Sequence, residues 1–234
     1  AGRGSRMGDL TKNLPKCRTI LHGKELIQWQ LDALEGAGIG EIGIVRGYLS
    51  KTFQFDLKYF ENTKWFKTNM VASLITASEW LETDICITSY SDIVYSTDVV
   101  KKLINFPGDI VISYDPNWLN LWEMRFEDPL SDAETFQLDG HRVIKIGCKA
   151  SSIEEIKGQY MGLLKYTPKG WKKVQKYLKN CKESEIDKID ITTLLQRLIK
   201  NGVVINAVPI SDKWFEVDTE SDLRIYKQKF EQSP

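Results

Sequence analysis

Apolar and polar positions recur at two periods along this chain, and segments with the two periods follow one another in turn. In residues 25–38, Ile27, Leu31 and Leu34 fall at helical spacing and Gly38 offers a left-handed stop. Residues 42–45 form a short apolar, strand-like run. Residues 69–81 place Met70, Leu74, Ala77 and Leu81 on one face and predict a single helix. Residues 85–89 and 109–114 read as strands, and 143–147 with 159–165 as a strand pair. Residues 168–179 are helical, with Pro168 in the first turn. Residues 190–201 are strongly amphipathic through Ile191, Leu194, Leu195, Leu198 and Ile199, with Gly202 as the stop. Residues 203–208 form a further strand. Thr219, Glu220, Ser221 and Asp222 make a capping-box pattern that opens a last helix through Phe230, before a frayed tail at 231–234.

Strands alternating with helices predict the α/β class, with a Rossmann-like, mostly parallel sheet flanked by helices. The stretch from Trp118 to Ile156 interrupts the alternation, so 115–158 reads as a segment inserted into a single domain spanning 1–234. The composition narrows the function. In 234 residues, 32 Lys and Arg balance 32 Asp and Glu, which excludes a general nucleic-acid binder, because counterion release needs a cationic surplus. No apolar run approaches the roughly 18 residues of a membrane helix. Cys17, Cys86, Cys148 and Cys181 have no CxxC spacing, and only His22 and His141 could join them. Neither a zinc site nor a disulfide framework is indicated, and reduced thiols predict a cytoplasmic protein.

Candidate chemistry concentrates at the start. Ala1, Gly2, Arg3, Gly4, Ser5 and Arg6 form a glycine-rich loop carrying two arginines, followed by Pro15 and Lys16. Glycines let amide N–H groups approach a phosphate, and Arg and Lys neutralise its charge. The spacing is neither a Walker loop nor GxGxxG, since Met7 stands where the third glycine belongs. Together with Thr11, Gly23, Lys24, Leu26, Ile27, Gln30 and Leu31, these residues match the signature GxGxRxxxxTxxxPKxxxxxxGKxLIxxQL. The chain therefore resembles the GT-A-like nucleotidyltransferases, which activate sugar phosphates and choline phosphate with NTPs. Residues 69–74, Arg125, residues 128–134, Gly158, Gln159, Tyr160 and residues 214–218 resemble the phosphocholine cytidylyltransferase-like branch. In that family a central strand runs into the glycine loop, so the resemblance implies such a strand before Ala1.

Asp92 follows the strand at 85–89, at the end where open α/β sheets bind ligands. Oxygen-seeking Mg²⁺ needs one or two carboxylates beside nucleotide phosphates. The resemblance makes Asp92 one of them; a turn or helix-cap role is the competing reading. Glu216 and Asp218 share one strand face by alternation, and Asp218 is preferred as the second ligand. Asp190 is most simply a helix cap, and the cysteines are small packed or surface thiols rather than nucleophiles.

For the acceptor, the resemblance assigns Lys149 to a phosphate; a solvated surface lysine is the alternative. Arg125, Asp132 and Glu134 lie in the insertion that family members use to shape the acceptor pocket. Tyr114, Trp118 and Trp122 are close in sequence. Aromatic faces and acidic groups would suit an ammonium-bearing acceptor, unless the aromatics simply pack the insertion onto the sheet. Trp65, Trp80, Trp171 and Trp214 are assigned to packing.

The resemblance implies attack of an acceptor phosphate on the α-phosphorus of an NTP, with pyrophosphate released and no protein nucleophile. Lys16 and Arg6 would neutralise phosphate charge, Asp92 and Asp218 would hold Mg²⁺, and Asn69 and Ser73 would sit beside the base. The branch implies CTP as donor and a phosphocholine-like or phosphorylated amide or amino-acid-like acceptor, in the synthesis of a polysaccharide or lipid precursor. Sugar-1-phosphate transfer with UTP, GTP or dTTP, or a non-catalytic nucleotide-sensing domain, remain as rivals. An oligomer of identical chains is compatible with all of these.

Overall fold

The computed structural model describes residues 1–229. The expected end of the last helix at Phe230 and the tail at 231–234 lie outside the described residues. In chain order the elements begin with β1 (Ile20–Leu21), β2 (Lys24–Glu25), α1 (Leu26–Gly36), β3 (Gly43–Arg46), β4 (Lys58–Glu61), α2 (Met70–Ile75), α3 (Ser78–Thr83), β5 (Cys86–Ser89), β6 (Ile93–Val94) and α4 (Thr97–Asn105). They continue with β7 (Ile110–Asp115), α5 (Trp118–Arg125), β8 (Glu134–Asp139), β9 (Arg142–Lys149), β10 (Gln159–Tyr166) and α6 (Pro168–Leu178). The last are α7 (Glu183–Ile186), α8 (Ile191–Lys200), β11 (Asn206–Pro209), β12 (Phe215–Glu216) and α9 (Glu220–Lys229). They form two compact units. The first comprises Ala1–Phe66, Ser89–Lys102 and the described residues from Asp212 on; the second comprises Lys67–Thr88 and Leu103–Ser211. Among the described residues no helix is long and apolar enough to cross a membrane.

In the first unit α1 stops as its sequence dictates. Gly38 takes φ +85°, its N–H donates to Glu35 O at 2.9 Å, and the Ile39 N–H donates to Leu34 O at 3.1 Å. Both bonds of a glycine-terminated helix are thus made. Ile27 and Leu31 turn inward onto Cys17 and Phe53, with Ile42, Ile44, Phe55, Leu57 and Tyr59 packed around them. β3 pairs in parallel with β4, a strand the hydrophobic pattern does not announce. β6 and β12 pair antiparallel, Phe215 opposite Val94 and Glu216 opposite Ile93. The capping box forms at α9. Asp222 N–H donates to Thr219 Oγ1 at 3.2 Å, and the Asp222 carboxylate accepts the Thr219 and Asp218 N–H groups at 2.8 and 2.9 Å.

The second unit is built on a six-stranded sheet of order β5-β10-β7-β11-β9-β8. The α/β class is as expected, but this sheet is mixed rather than mostly parallel. β11 runs parallel to β7, whereas β10 with β7, β9 with β11 and β8 with β9 are antiparallel. The expected pairing of 143–147 with 159–165 does not occur. A turn at Gly140 and His141 folds β8 back onto β9 instead, while β10 lies between β5 and β7. The helix expected over 69–81 is two, α2 and α3. The Thr76 hydroxyl donates to Ser73 O at 2.7 Å and the Ser78 hydroxyl to Ile75 O at 2.8 Å, and such side-chain bonds compete with the helical ladder at the break. α8 follows its sequence closely. Asp190 accepts the Thr193 N–H at 2.8 Å, and Ile191, Leu194, Leu195 and Leu198 are buried.

Candidate active site

Three charged side chains distant in sequence meet inside the first unit. Val217 N–H donates to Asp92 O at 2.8 Å, extending the β6–β12 pairing by one step. This sets Asp92, before β6, and Asp218, after β12, on neighbouring chain ends. Lys16 reaches them from the short turn Lys16–Arg18 that follows Pro15, whose φ is −59°. Its Nζ donates to Asp92 Oδ2 at 2.6 Å and to Asp218 Oδ1 at 2.5 Å. Lys16 is 7% exposed and Asp218 4%. Burial alone disfavours the ammonium, but Asp92 and Asp218 outweigh it and hold Lys16 charged, its pKa above the usual lysine value. Arg6 Nη2 also donates to Asp218 Oδ1, at 3.0 Å, from a side chain 63% exposed, so water screens most of that pairing.

Gly4 explains how Lys16 lies where it does. Its φ is +70°, and a Cβ there would stand 2.9 Å from Lys16 Cβ and Cδ; the lysine stem rests on bare backbone. The loop expected over 2–6 is shorter than predicted, because Ser5–Thr11 winds into a 3-10 turn broken at Gly8. Buried Met7 anchors the turn, its N–H donating to Gly4 O at 3.0 Å, and Thr11 Oγ1 donates to the same oxygen at 3.0 Å. Ahead of the turn, the N–H groups of Gly2, Arg3 and Gly4 find no protein acceptor among the described residues. Gly2, Arg3 and Ser5 are exposed, while the Ala1 carbonyl accepts Tyr48 N–H at 2.9 Å. Amides presented in this way suit phosphate oxygens.

Two positioning residues received no role from the sequence, although Gln30 stands in the matched signature. Gln30 is buried on the inner face of α1 and donates to Tyr90 O at 2.8 Å and Ile93 O at 2.6 Å, clamping the segment that carries Asp92. A glutamine on an otherwise apolar stripe is its signal. The Tyr48 hydroxyl donates to Thr11 O at 3.0 Å and Lys12 O at 2.6 Å, fixing the far end of the loop. Cys17, next to Lys16, is no nucleophile: burial pushes its thiol up to about 12.

Asp92 Oδ1 is buried without a hydrogen-bond partner. With the Asp218 carboxylate alongside, this donor set fits Mg²⁺, which takes hard oxygen ligands, often one or two carboxylates beside substrate phosphates. No group of three or more His, Cys, Asp or Glu side chains able to hold a metal occurs among the described residues. Asp92 and Asp218 therefore stand as a pair, and Glu216 does not complete a trio with them.

The remaining candidates lie in the second unit. Asn69 caps α2, accepting Met70 N–H at 2.8 Å, and its Nδ2 donates to Lys188 O at 3.0 Å; Ser73 lies in the same helix. Lys149 is exposed at the end of β9, directly across from Glu134 on β8. Glu134 Oε1 accepts the Thr192 hydroxyl at 3.3 Å. Burial raises the Glu134 pKa despite that bond, and Asp190 and Asp132 raise it further. The aromatic expectation needs correction. Trp118 and Trp122 are 3% and 1% exposed and meet edge to face, 6.1 Å between centroids. Trp118 Nε1 donates to Ile156 O at 3.3 Å. Arg125 sits 4.9 Å over the Trp122 ring and 5.0 Å over Phe126, and half-buried Tyr114 tilts onto Phe136 at 5.1 Å. Burial leaves neither tryptophan a face to offer a ligand, and both pack the insertion.

Residues 1–143 match the MobA-like NTP transferase domain. The chain is 36% identical to the CTP:phosphoglutamine cytidylyltransferase of Campylobacter jejuni, over 98% of this chain and 97% of that one. It is 33% identical over 49% of its length to the 2-aminoethylphosphonate cytidylyltransferase of Lancefieldella rimae, of which the match covers 54%. Among solved structures, the CTP:phosphocholine cytidylyltransferase of Streptococcus pneumoniae superposes with a TM-score of 0.73 at 19% identity, over 97% of this chain and 95% of that one. With the family model spanning more than half the chain and a relative this similar end to end, the chain is a nucleotidyltransferase and belongs to the MobA-like NTP transferase family.

Proposed function

We propose that the protein is a CTP-dependent cytidylyltransferase that moves CMP onto the phosphate of a small phosphorylated amide or amino-acid-like acceptor and releases pyrophosphate. The observation that carries this is the buried Lys16 ammonium bonded to both Asp92 and Asp218, beside a loop whose leading amides find no protein acceptor. The phosphoglutamine in the name of the Campylobacter jejuni relative is such a phosphorylated amide.

The roles follow from chemistry. An acceptor phosphate oxygen attacks the α-phosphorus, and the bond to the pyrophosphate oxygen breaks. Gly2, Arg3 and Gly4 offer amides to the triphosphate, and the exposed Arg6 guanidinium balances its charge. Lys16 meets the negative charge that builds as the α-phosphorus becomes five-coordinate. Asp92 and Asp218 would hold Mg²⁺, which supplies further charge neutralisation on the nucleotide's oxygens. Lys149 is assigned to the acceptor's phosphate. Glu134 and Asp132 are assigned to its amino group, with Asn69 and Ser73 beside the base. The free thiols support a reducing compartment, and the cytoplasm is proposed on that ground.

A screen of CTP, UTP, GTP and dTTP against phosphorylated glutamine, choline phosphate, 2-aminoethylphosphonate and hexose 1-phosphates, read by pyrophosphate release, tests the proposal. CTP with phosphorylated glutamine is expected to turn over fastest. Preference for UTP with a hexose 1-phosphate would overturn the cytidylyltransferase reading, and preference for 2-aminoethylphosphonate would reassign the acceptor alone.

A further inference from the structure

Lys16 holds two positions that the proposed chemistry cannot grant at once. Its Nζ lies 2.6 Å from Asp92 Oδ2 and 2.5 Å from Asp218 Oδ1, on the oxygens proposed for the metal. The same ammonium is needed on the nucleotide's phosphates. Asp218 Oδ1 is more crowded still, since Arg6 Nη2 donates to it as well. Mg²⁺ sits at about 2.0–2.1 Å from its oxygens, so an ion bound there would face the ammonium across a shared oxygen, cation against cation. Asp92 Oδ1, buried without a partner, is the one oxygen of these two carboxylates shown open to an incoming cation.

We infer that Lys16 is the resting counter-ion of the Asp92–Asp218 pair, and that it leaves both carboxylates when a divalent cation is bound there, drawn off by the nucleotide's phosphates. The inference rests on the nucleotidyltransferase reading. It gives the buried Asp218 and the half-buried Asp92 a counter-charge within the chain itself. Local geometry permits the move. Pro15 fixes the backbone behind the lysine, while the stem lies on Gly4, where no Cβ obstructs it. The four-carbon chain can swing without unfolding the turn, and the Gly4 backbone already lies against it. Metal and nucleotide then bind cooperatively, because the metal frees the ammonium that the phosphates need and the phosphates draw it off the carboxylates that the metal needs.

The test is Mn²⁺ binding followed by electron paramagnetic resonance, first without nucleotide. Lys16→Met is expected to bind Mn²⁺ at least about tenfold more tightly than the wild type, the factor for removing one competing buried charge pair. With a non-hydrolysable CTP analogue at saturation the difference should vanish or reverse. Equal affinities without nucleotide would overturn the inference. So would an advantage that persists undiminished with the analogue, since that marks a fixed repulsive charge rather than a displaced one. If the variant does not fold, ¹⁵N spectra of the wild-type lysine ammonium groups decide. Hydrogen-bond couplings from Lys16 Nζ to the two carboxylates should be present in the metal-free protein and lost with Mg²⁺ and analogue bound; their retention overturns the proposal. Wild-type pyrophosphate release from CTP judges the underlying reading separately. Turnover with equal Mn²⁺ affinities would remove only the counter-ion role.

Discussion

The cluster around Lys16 and the face around Lys149 each set a lysine among acidic neighbours, in opposite physical states. Lys16 is buried, bonded to two carboxylates and seated on a glycine backbone. Lys149 is exposed at a strand end, with Glu134 directly across the ladder. A group that must stabilise charge on a defined phosphorus gains from being fixed and desolvated beforehand. A group that recognises one acceptor among many gains little from such fixing and can vary without disturbing the chemistry. The first kind is expected to govern kcat, the second KM.

The sharpest way to break that contrast is Asp92→Asn. Activity should fall at least about 10³-fold, the several kcal/mol that a bound metal supplies to the transition state, with an unchanged far-UV circular dichroism spectrum. Full activity in that variant, or wild-type activity in EDTA, would empty the first region of its role. Next comes Lys16→Ala, expected to lower kcat by about 10²–10³-fold with a smaller change in the KM for CTP. A change in KM alone would make Lys16 a ground-state binding residue like those on the other face.

Lys149→Ala should raise the acceptor KM by about tenfold, the loss of one partly solvated charged contact, and leave kcat and the KM for CTP nearly intact. Steady-state kinetics with each substrate varied in turn checks this. The smallest effect concerns Glu134 and has a definite sign. Burial raises its pKa in the folded chain, so the folded state favours the protonated form. Stability is then greatest below the ordinary glutamate pKa and is lost as pH rises toward the folded value. Glu134→Gln should therefore melt slightly higher than wild type at pH 7 and the same at pH 4, while raising the acceptor KM. A lower melting temperature at pH 7 would make Glu134 a structural anchor.

What the sequence made legible follows the range of the interactions involved. α8 and α9 are written locally, in Asp190 and Gly202 for one and in Thr219 with Asp222 for the other, and they form as read. β4 has one buried residue, Phe60, between Tyr59 and Glu61, and its strand state comes from pairing with β3. β8 carried a usable signal in Asp139 followed by Gly140, masked by the charged and aromatic run before it. The break at Thr76 and Ala77 depends on hydroxyl rotamers, which hydrophobic spacing does not register. At the candidate site, Lys16, Asp92 and Asp218 were nameable from motifs. The resemblance implied that they converge on one nucleotide, but not that Lys16 bonds both carboxylates directly, because that depends on the register of two two-residue strands whose sequences are far apart. Trp118 and Trp122 erred in the opposite direction: aromatic residues near acidic ones look the same in sequence whether they cage a ligand or fill a core.

Each of the two lysines has a cysteine for a neighbour, Cys17 after Lys16 and Cys148 before Lys149. Cys17 is buried and its thiol is held protonated up to about 12, whereas Cys148 is exposed. Electrophiles and oxidants therefore meet the two regions unequally. A maleimide dye or spin label would attach beside Lys149 and leave the residue after Lys16 unmodified. Thiol chemistry thus offers a reporter on one lysine that does not touch the other.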